Sequence, residues 1–110
     1  MSSELRAFAD RVSAAESRIR DHVRETYLEF SPALSTLSGG SVYCKLENLQ
    51  HSGSFKLRGA FNKILSLSEA ERERGIVTSS SGNHGAGVAY ALGTLGQAGT
   101  GFVPTNVSPG

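Results

Sequence analysis

The sequence predicts an α/β fold, part of a doubly wound parallel sheet, on three observations. First, hydrophobic spacing switches between helical and strand periods, giving the order helix, β, α, α, β, α, β. Such alternation implies parallel strands joined by crossover helices. Second, a glycine-bearing loop follows each of the first two strands, at 50–54 and 79–85. Third, nine of the 13 glycines lie from Gly75 onward, where backbone must turn tightly or approach a ligand. Parallel sheets bind ligands at the carboxyl ends of their strands, so both loops are expected on one sheet edge. That would bring Lys56 near Ser80, Ser81, Asn83 and His84.

The elements follow in order. Leu5, Phe8, Val12, Ala15, Ile19, Val23 and Tyr27 recur every three or four residues, which predicts an amphipathic helix over 3–27. Ser31-Pro32 breaks it and Gly39-Gly40 turns the chain. SVYCKLENL, 41–49, alternates Val42, Cys44 and Leu46 with Tyr43, Lys45 and Glu47, as a strand does. The loop QHSGS leads into a helix over 54–66 with Phe55, Leu57, Ala60, Phe61, Ile64 and Leu65 on its apolar side. Ser68 with Glu71 is a capping-box pattern for a short helix that ends at Gly75. IVTS, 76–79, and TGFVP, 100–104, read as strands around a small-residue helix, GAGVAYALGTLG. The expectation is a single, incomplete domain over 1–110, with an N-terminal helix and a βαβ core over 41–104. The sequence shows no repeat and no linker.

Composition narrows the function classes. Eleven basic and ten acidic residues give a net charge of +1, so there is no electrostatic case for nucleic acid or an anionic membrane surface. No apolar run approaches the roughly 20 residues of a membrane span. The charged N-terminus lacks the apolar stretch of a secretory signal. A single cysteine, Cys44, forms no internal disulfide, which suits a reducing compartment such as the cytoplasm. The His and Cys residues lack metal-ligand spacing, so no metal site is expected.

The two loops carry the chemistry. A lysine amine attacks carbonyls only when unprotonated, and apolar neighbours or a nearby cation prepare it for that. Lys56 stands between Phe55 and Leu57, with Arg58 two residues on. The ordinary alternative is a solvated lysine in a first helical turn. SSSGNHG is, at its plainest, a helix-capping turn. Its serines and the exposed N–H groups of a helix start also suit a carboxylate or phosphate, and Asn83 suits a phenolate or carbonyl oxygen. Neither a Walker loop nor G-x-G-x-x-G is present: the glycines at 82, 85, 87 and 93 are wrongly spaced.

Taken together, Ser54-Phe55-Lys56-Leu57-Arg58-Gly59-Ala60 and Ser81-Gly82-Asn83-His84 resemble the S-x-K-x-R-G-A and S-G-N-H motifs of the serine/threonine dehydratases. These are pyridoxal-phosphate enzymes of the tryptophan-synthase-β-like fold, a group that includes serine racemase. The resemblance runs from about residue 19 to 109. It implies that Lys56 holds pyridoxal 5'-phosphate through a Schiff base and acts as a base at the substrate α-carbon. Phe55 would lie near the cofactor ring, and Asn83 would bond its ring oxygen. Ser81 would be the second acid–base group, while Ser80, Ser81 and His84 would hold the substrate carboxylate. The implied activity is an ammonia-lyase that turns L-threonine or L-serine into a 2-keto acid and ammonia. The implied partners are a small amino-acid substrate and, at full length, further copies of the chain.

Racemisation begins with the same proton abstraction, so serine racemase or another β-eliminating lyase stays open. The resembled family has a longer chain, with a glycine-rich phosphate loop and a group facing the pyridine nitrogen far downstream. The expectation is therefore an N-terminal fragment that ends near Gly110, is inactive alone and binds cofactor weakly. A proline expected before Leu28 is replaced by Tyr27. A non-catalytic remnant that binds a partner through an open sheet edge is the competing reading. Retention of Lys56, Ser81 and Asn83 together favours the enzyme.

Overall fold

The computed structural model describes residues 1–107. The expected fragment end at Gly110 lies outside the described residues. Helix α1 spans Ser3–Ile19, and Ser2 caps it by accepting from the Leu5 N–H. It stops eight residues short of the expected end. Val23 keeps the helical spacing, yet its backbone is extended and its side chain is buried in the core. The segment after it is claimed by other bonds: the Leu46 N–H donates to the Tyr27 carbonyl and the Arg24 N–H to Gln50 Oε1.

Two short elements that the sequence reading lacks come next. Strand β1, Leu28–Phe30, precedes helix α2, Pro32–Ser38. Pro32 does not only end structure: it sits at the first position of α2, where its missing N–H costs nothing, and Ser31 caps the helix through the Leu34 N–H. Strand β2 is only Tyr43–Lys45, since Glu47–Leu49 winds into a turn of 3-10 helix. It pairs antiparallel with β1, from Leu28 opposite Lys45 to Phe30 opposite Tyr43.

Helix α3 is Lys56–Ser66, and α4, Glu69–Glu73, carries the complete Ser68/Glu71 capping box. Strand β3, Ile76–Ser79, continues through α5, Asn83–Leu95, into β4, Gly99–Phe102. The last two strands are parallel and run in register from Ile76 opposite Gly99 to Ser79 opposite Phe102. This β3-α5-β4 unit is the expected crossover. The first strand, however, belongs to a separate two-stranded sheet, so the two glycine-bearing loops do not share one sheet edge.

What joins the halves is helix packing. Ile19, Val23, Leu57, Ala60, Phe61, Ile64, Val88 and Ala91 form one buried cluster drawn from α1, its trailing segment, α3 and α5. Phe61 is fully buried at its centre, stacked on His22 at 5.0 Å and edge-on to Tyr90 at 6.4 Å. Phe61→Ala should lower the unfolding free energy by about 3–5 kcal/mol, read as a shifted urea midpoint. Among the described residues, no helix is long and apolar enough to cross a membrane.

Candidate active site

Helices α3 and α5 touch where the two loops end. A methyl group on Gly87 would lie 3.1 Å from the Leu57 nitrogen and 3.2 Å from the Lys56 carbonyl carbon. Glycine there lets the backbone of α5 press against the first turn of α3. Stacking of His51 on Tyr90, rings 5.3 Å apart and nearly parallel, ties the loop before Lys56 to the same helix. Beside this contact opens a cleft of about 440 Å³. Phe55, Lys56, Gly59 and Lys63 of α3 and its approach line one side, Ile76, Val77 and Thr78 of β3 the other, with His84 and Val88 of α5 between.

Lys56 is the first residue of α3, which starts two residues later than expected. Its side chain is exposed, with Nζ 5.4 Å from the centre of the Phe55 ring. The apolar flanks do not bury the amine. Leu57 points into the core, and Phe55 is itself 63% exposed. Arg58 is not a cation aimed at the lysine either: its guanidinium is paired with Glu47.

In the second loop, Ser80 Oγ accepts from the Gly82 N–H at 3.2 Å and the Gly85 N–H at 3.0 Å. Its oxygen is thus engaged in shaping the start of α5, and its proton remains free to donate. Ser81 is exposed on the loop, and Asn83 is the exposed first residue of α5. Of the six predicted site residues, Phe55, Lys56 and His84 line the cleft. Ser80, Ser81 and Asn83 stand beside it on the adjoining loop. The start of a 13-residue helix there offers unpaired N–H groups and a partial positive charge, a setting that favours an anion.

Sequence reading missed a polar cluster at the first turn of α3. Arg58 grips Glu47 with two parallel bonds: Nε donates to Oε2 and Nη2 to Oε1, each at 2.9 Å. Thr26 Oγ1 donates to Glu47 Oε1 at 2.6 Å. No sequence signal marks the pair: Glu47 and Arg58 are eleven positions apart, and Glu47 falls on the polar side of its strand pattern.

The Arg58 bond is the main reason the Glu47 carboxyl is pushed down to about 2, against an opposing push from burial; Thr26 adds to the lowering. A depressed carboxyl stabilises the fold above its unfolded value of 4.5, and that support is lost as pH falls towards 2. The contribution is on the order of 2 kcal/mol once partial exposure is allowed for. Melting temperature should therefore fall between pH 4.5 and 2 more steeply in the parent protein than in Glu47→Gln. Parallel melting curves across that window would remove the claim.

Residues 19–110 match the protein family described as pyridoxal-phosphate dependent enzyme. The chain is 47% identical to the L-threonine ammonia-lyase of Thermotoga maritima over 93 residues, 84% of this chain and 23% of that protein. It is 45% identical to the serine racemase of Dictyostelium discoideum over 80 residues, 73% of this chain and 25% of that protein. Among solved structures it superposes on maize serine racemase with a TM-score of 0.82 at 35% identity, over 90% of this chain and 30% of that one. The chain thus spans about a quarter of the length of the curated relatives it matches.

Proposed function

Because the chain belongs to the family of pyridoxal-phosphate dependent enzymes, we propose that the whole protein is an ammonia-lyase that converts L-threonine or L-serine to a 2-keto acid and ammonia. Its fold is tryptophan-synthase-β-like, and its family uses pyridoxal phosphate. The observation that carries the reading is the contact at Gly87. It puts a lysine amine and the anion-favouring start of α5 around one cleft.

The residues present fit the cofactor. An exposed primary amine stands at the wall of a cleft whose sides are largely apolar, with Phe55, Ile76 and Val88 suited to a flat ring. Gly59 faces open space in the lining of the same cleft. Lys56 Nζ would hold the cofactor covalently, Phe55 would pack on its ring and Asn83 would bond its ring oxygen. When bound, the ring supplies an electron sink for the α-carbon.

The chain's own groups then have separate tasks. The α5 N–H groups, with Ser80, Ser81 and His84, would orient the substrate through its carboxylate. Lys56 Nζ, once released, would take the α-proton. Loss of the β-hydroxyl as water and hydrolysis then give 2-oxobutanoate from threonine or pyruvate from serine, with ammonia.

The whole protein, supplied with pyridoxal phosphate and L-threonine or L-serine, is expected to release keto acid. A second reading, racemisation, is favoured by the similarity to serine racemases and by exposed Ser81, which could meet the α-carbon from the other side. D-Serine formed from L-serine without pyruvate would establish that reading instead. Neither product would remove both.

A further inference from the structure

We propose that the Glu47–Arg58 pair is the positioning device of the cofactor lysine, fixing the first turn of α3 so that Lys56 meets its cofactor at the cleft; this rests on the reading of Lys56 given above. Packing at Leu57 holds the inner side of that turn, but local bonds hold its outer side loosely. Its capping residue is Phe55, whose side chain makes no capping bond; the Lys56 N–H reaches only Ser54 Oγ, at a long 3.4 Å, and Gly59 follows within the turn. Weakly capped helix starts fray, and glycine weakens them further. A frayed turn would carry the Lys56 backbone with it.

The pair supplies what the cap does not. A two-point fork between guanidinium and carboxylate sets rotation as well as distance, which a single contact does not. It is largely shielded: the Glu47 side chain is 12% exposed and that of Arg58 26%. Glu16 on α1 adds a longer contact to Arg58, 3.6 Å.

The carboxylate is in turn fixed to a braced platform. Gln50, only 3% exposed, imitates a backbone partner. Its Oε1 accepts from the Arg24 N–H at 2.9 Å and its Nε2 donates to the Arg24 carbonyl at 3.0 Å. Lys45 Nζ donates to the Thr26 carbonyl and the Leu46 N–H to that of Tyr27. The platform thus carries Thr26, Glu47 and Gln50, and Arg58 is its link to the helix. The body of α3 is held independently by Ala60, Phe61 and Ile64 in the core, while Leu57 anchors the inner side of the first turn. Breaking the link should therefore loosen the lysine without unfolding the helix.

The test is the rate at which pyridoxal phosphate is trapped on each lysine of the whole protein by borohydride reduction and read by peptide mapping. Lys63, on the same helix and cleft, is the internal reference. Parent protein should trap selectively at Lys56. Arg58→Lys keeps the charge and loses the fork. It should lower Lys56 trapping roughly tenfold or more, as a displacement of ångström size does. Lys63 trapping and helix content by circular dichroism should not change. Thr26→Val removes one donor to Glu47 with little change in shape and should give a fall of about threefold. Parent-like Lys56 trapping in folded Arg58→Lys overturns the proposal. Should Arg58→Lys fail to fold, parent-like trapping in Thr26→Val overturns it. A parent protein with no preference for Lys56 overturns the cofactor-lysine reading itself, and the proposal with it.

Discussion

Lys56→Ala in the whole protein is expected to abolish keto-acid release from L-threonine while leaving the fold intact. The activity side is large because, on the proposed roles of Lys56, the variant loses both the covalent anchor and the base. Proton transfer by a positioned side chain alone accounts for about 10²–10⁴-fold, and loss of the anchor adds to it. The stability side is small because Lys56 is exposed and heads a helix whose buried contacts come from Leu57, Phe61 and Ile64. Surface substitutions of this kind stay within about 0.5 kcal/mol. Lys63→Ala separates a specific amine from general positive charge, since Lys63 lines the same cleft seven residues on. If the cleft merely gathers anions, the two variants lose activity alike. If Lys56 carries the cofactor, only Lys56→Ala loses it, together with the visible absorbance of bound cofactor. A Lys56→Ala protein that keeps both would sink the assignment.

The parts of this fold that were legible in the sequence are those where burial follows one period without competition. The apolar side of α3, the capping box at Ser68 and the β3-α5-β4 unit are of that kind. The end of α1 was not, because Val23 satisfies a helical spacing while being buried from an extended segment. Periodicity reports that a side chain is buried, not which backbone buries it. Strand β1 was hidden for a related reason. Three exposed residues, Leu28–Phe30, have no pattern of their own and are strand only because β2 pairs with them. At the site, two loops of the right residue types were enough to expect Lys56 and His84 together, and both line one cleft. The route was different: helix contact at Gly87 takes the place of a shared sheet edge. The Glu47–Arg58 pair was out of reach, since a fork between residues eleven apart depends on how a turn of 3-10 helix meets a helix start.

Gly85→Ala tests the second loop in the same way, and two opposed magnitudes decide its outcome. Inside a helix, alanine is better than glycine by about 0.8–1 kcal/mol. At this position the new methyl would lie 2.8 Å from the Ser80 carbonyl oxygen and 3.4 Å from its Cβ. That carbonyl is backbone, so it yields only if the loop moves, and such overpacking costs about 1–3 kcal/mol. The net loss of stability should therefore be slight, at most about 2 kcal/mol. The site cannot absorb the movement so easily. Ser80 Oγ holds the N–H groups of Gly82 and Gly85, so pushing Ser80 shifts the turn that would orient the substrate carboxylate. A displacement of about 1 Å costs on the order of 10²-fold in rate. Gly93→Ala is the matched control. It lies in the same helix with nothing within 4 Å of the added methyl, so it should gain stability and keep activity. Keto-acid release and urea midpoints, measured side by side, read the contrast. If Gly85→Ala behaves like Gly93→Ala, the loop at 80–85 is not held tightly enough to position a substrate, and the carboxylate must be bound elsewhere.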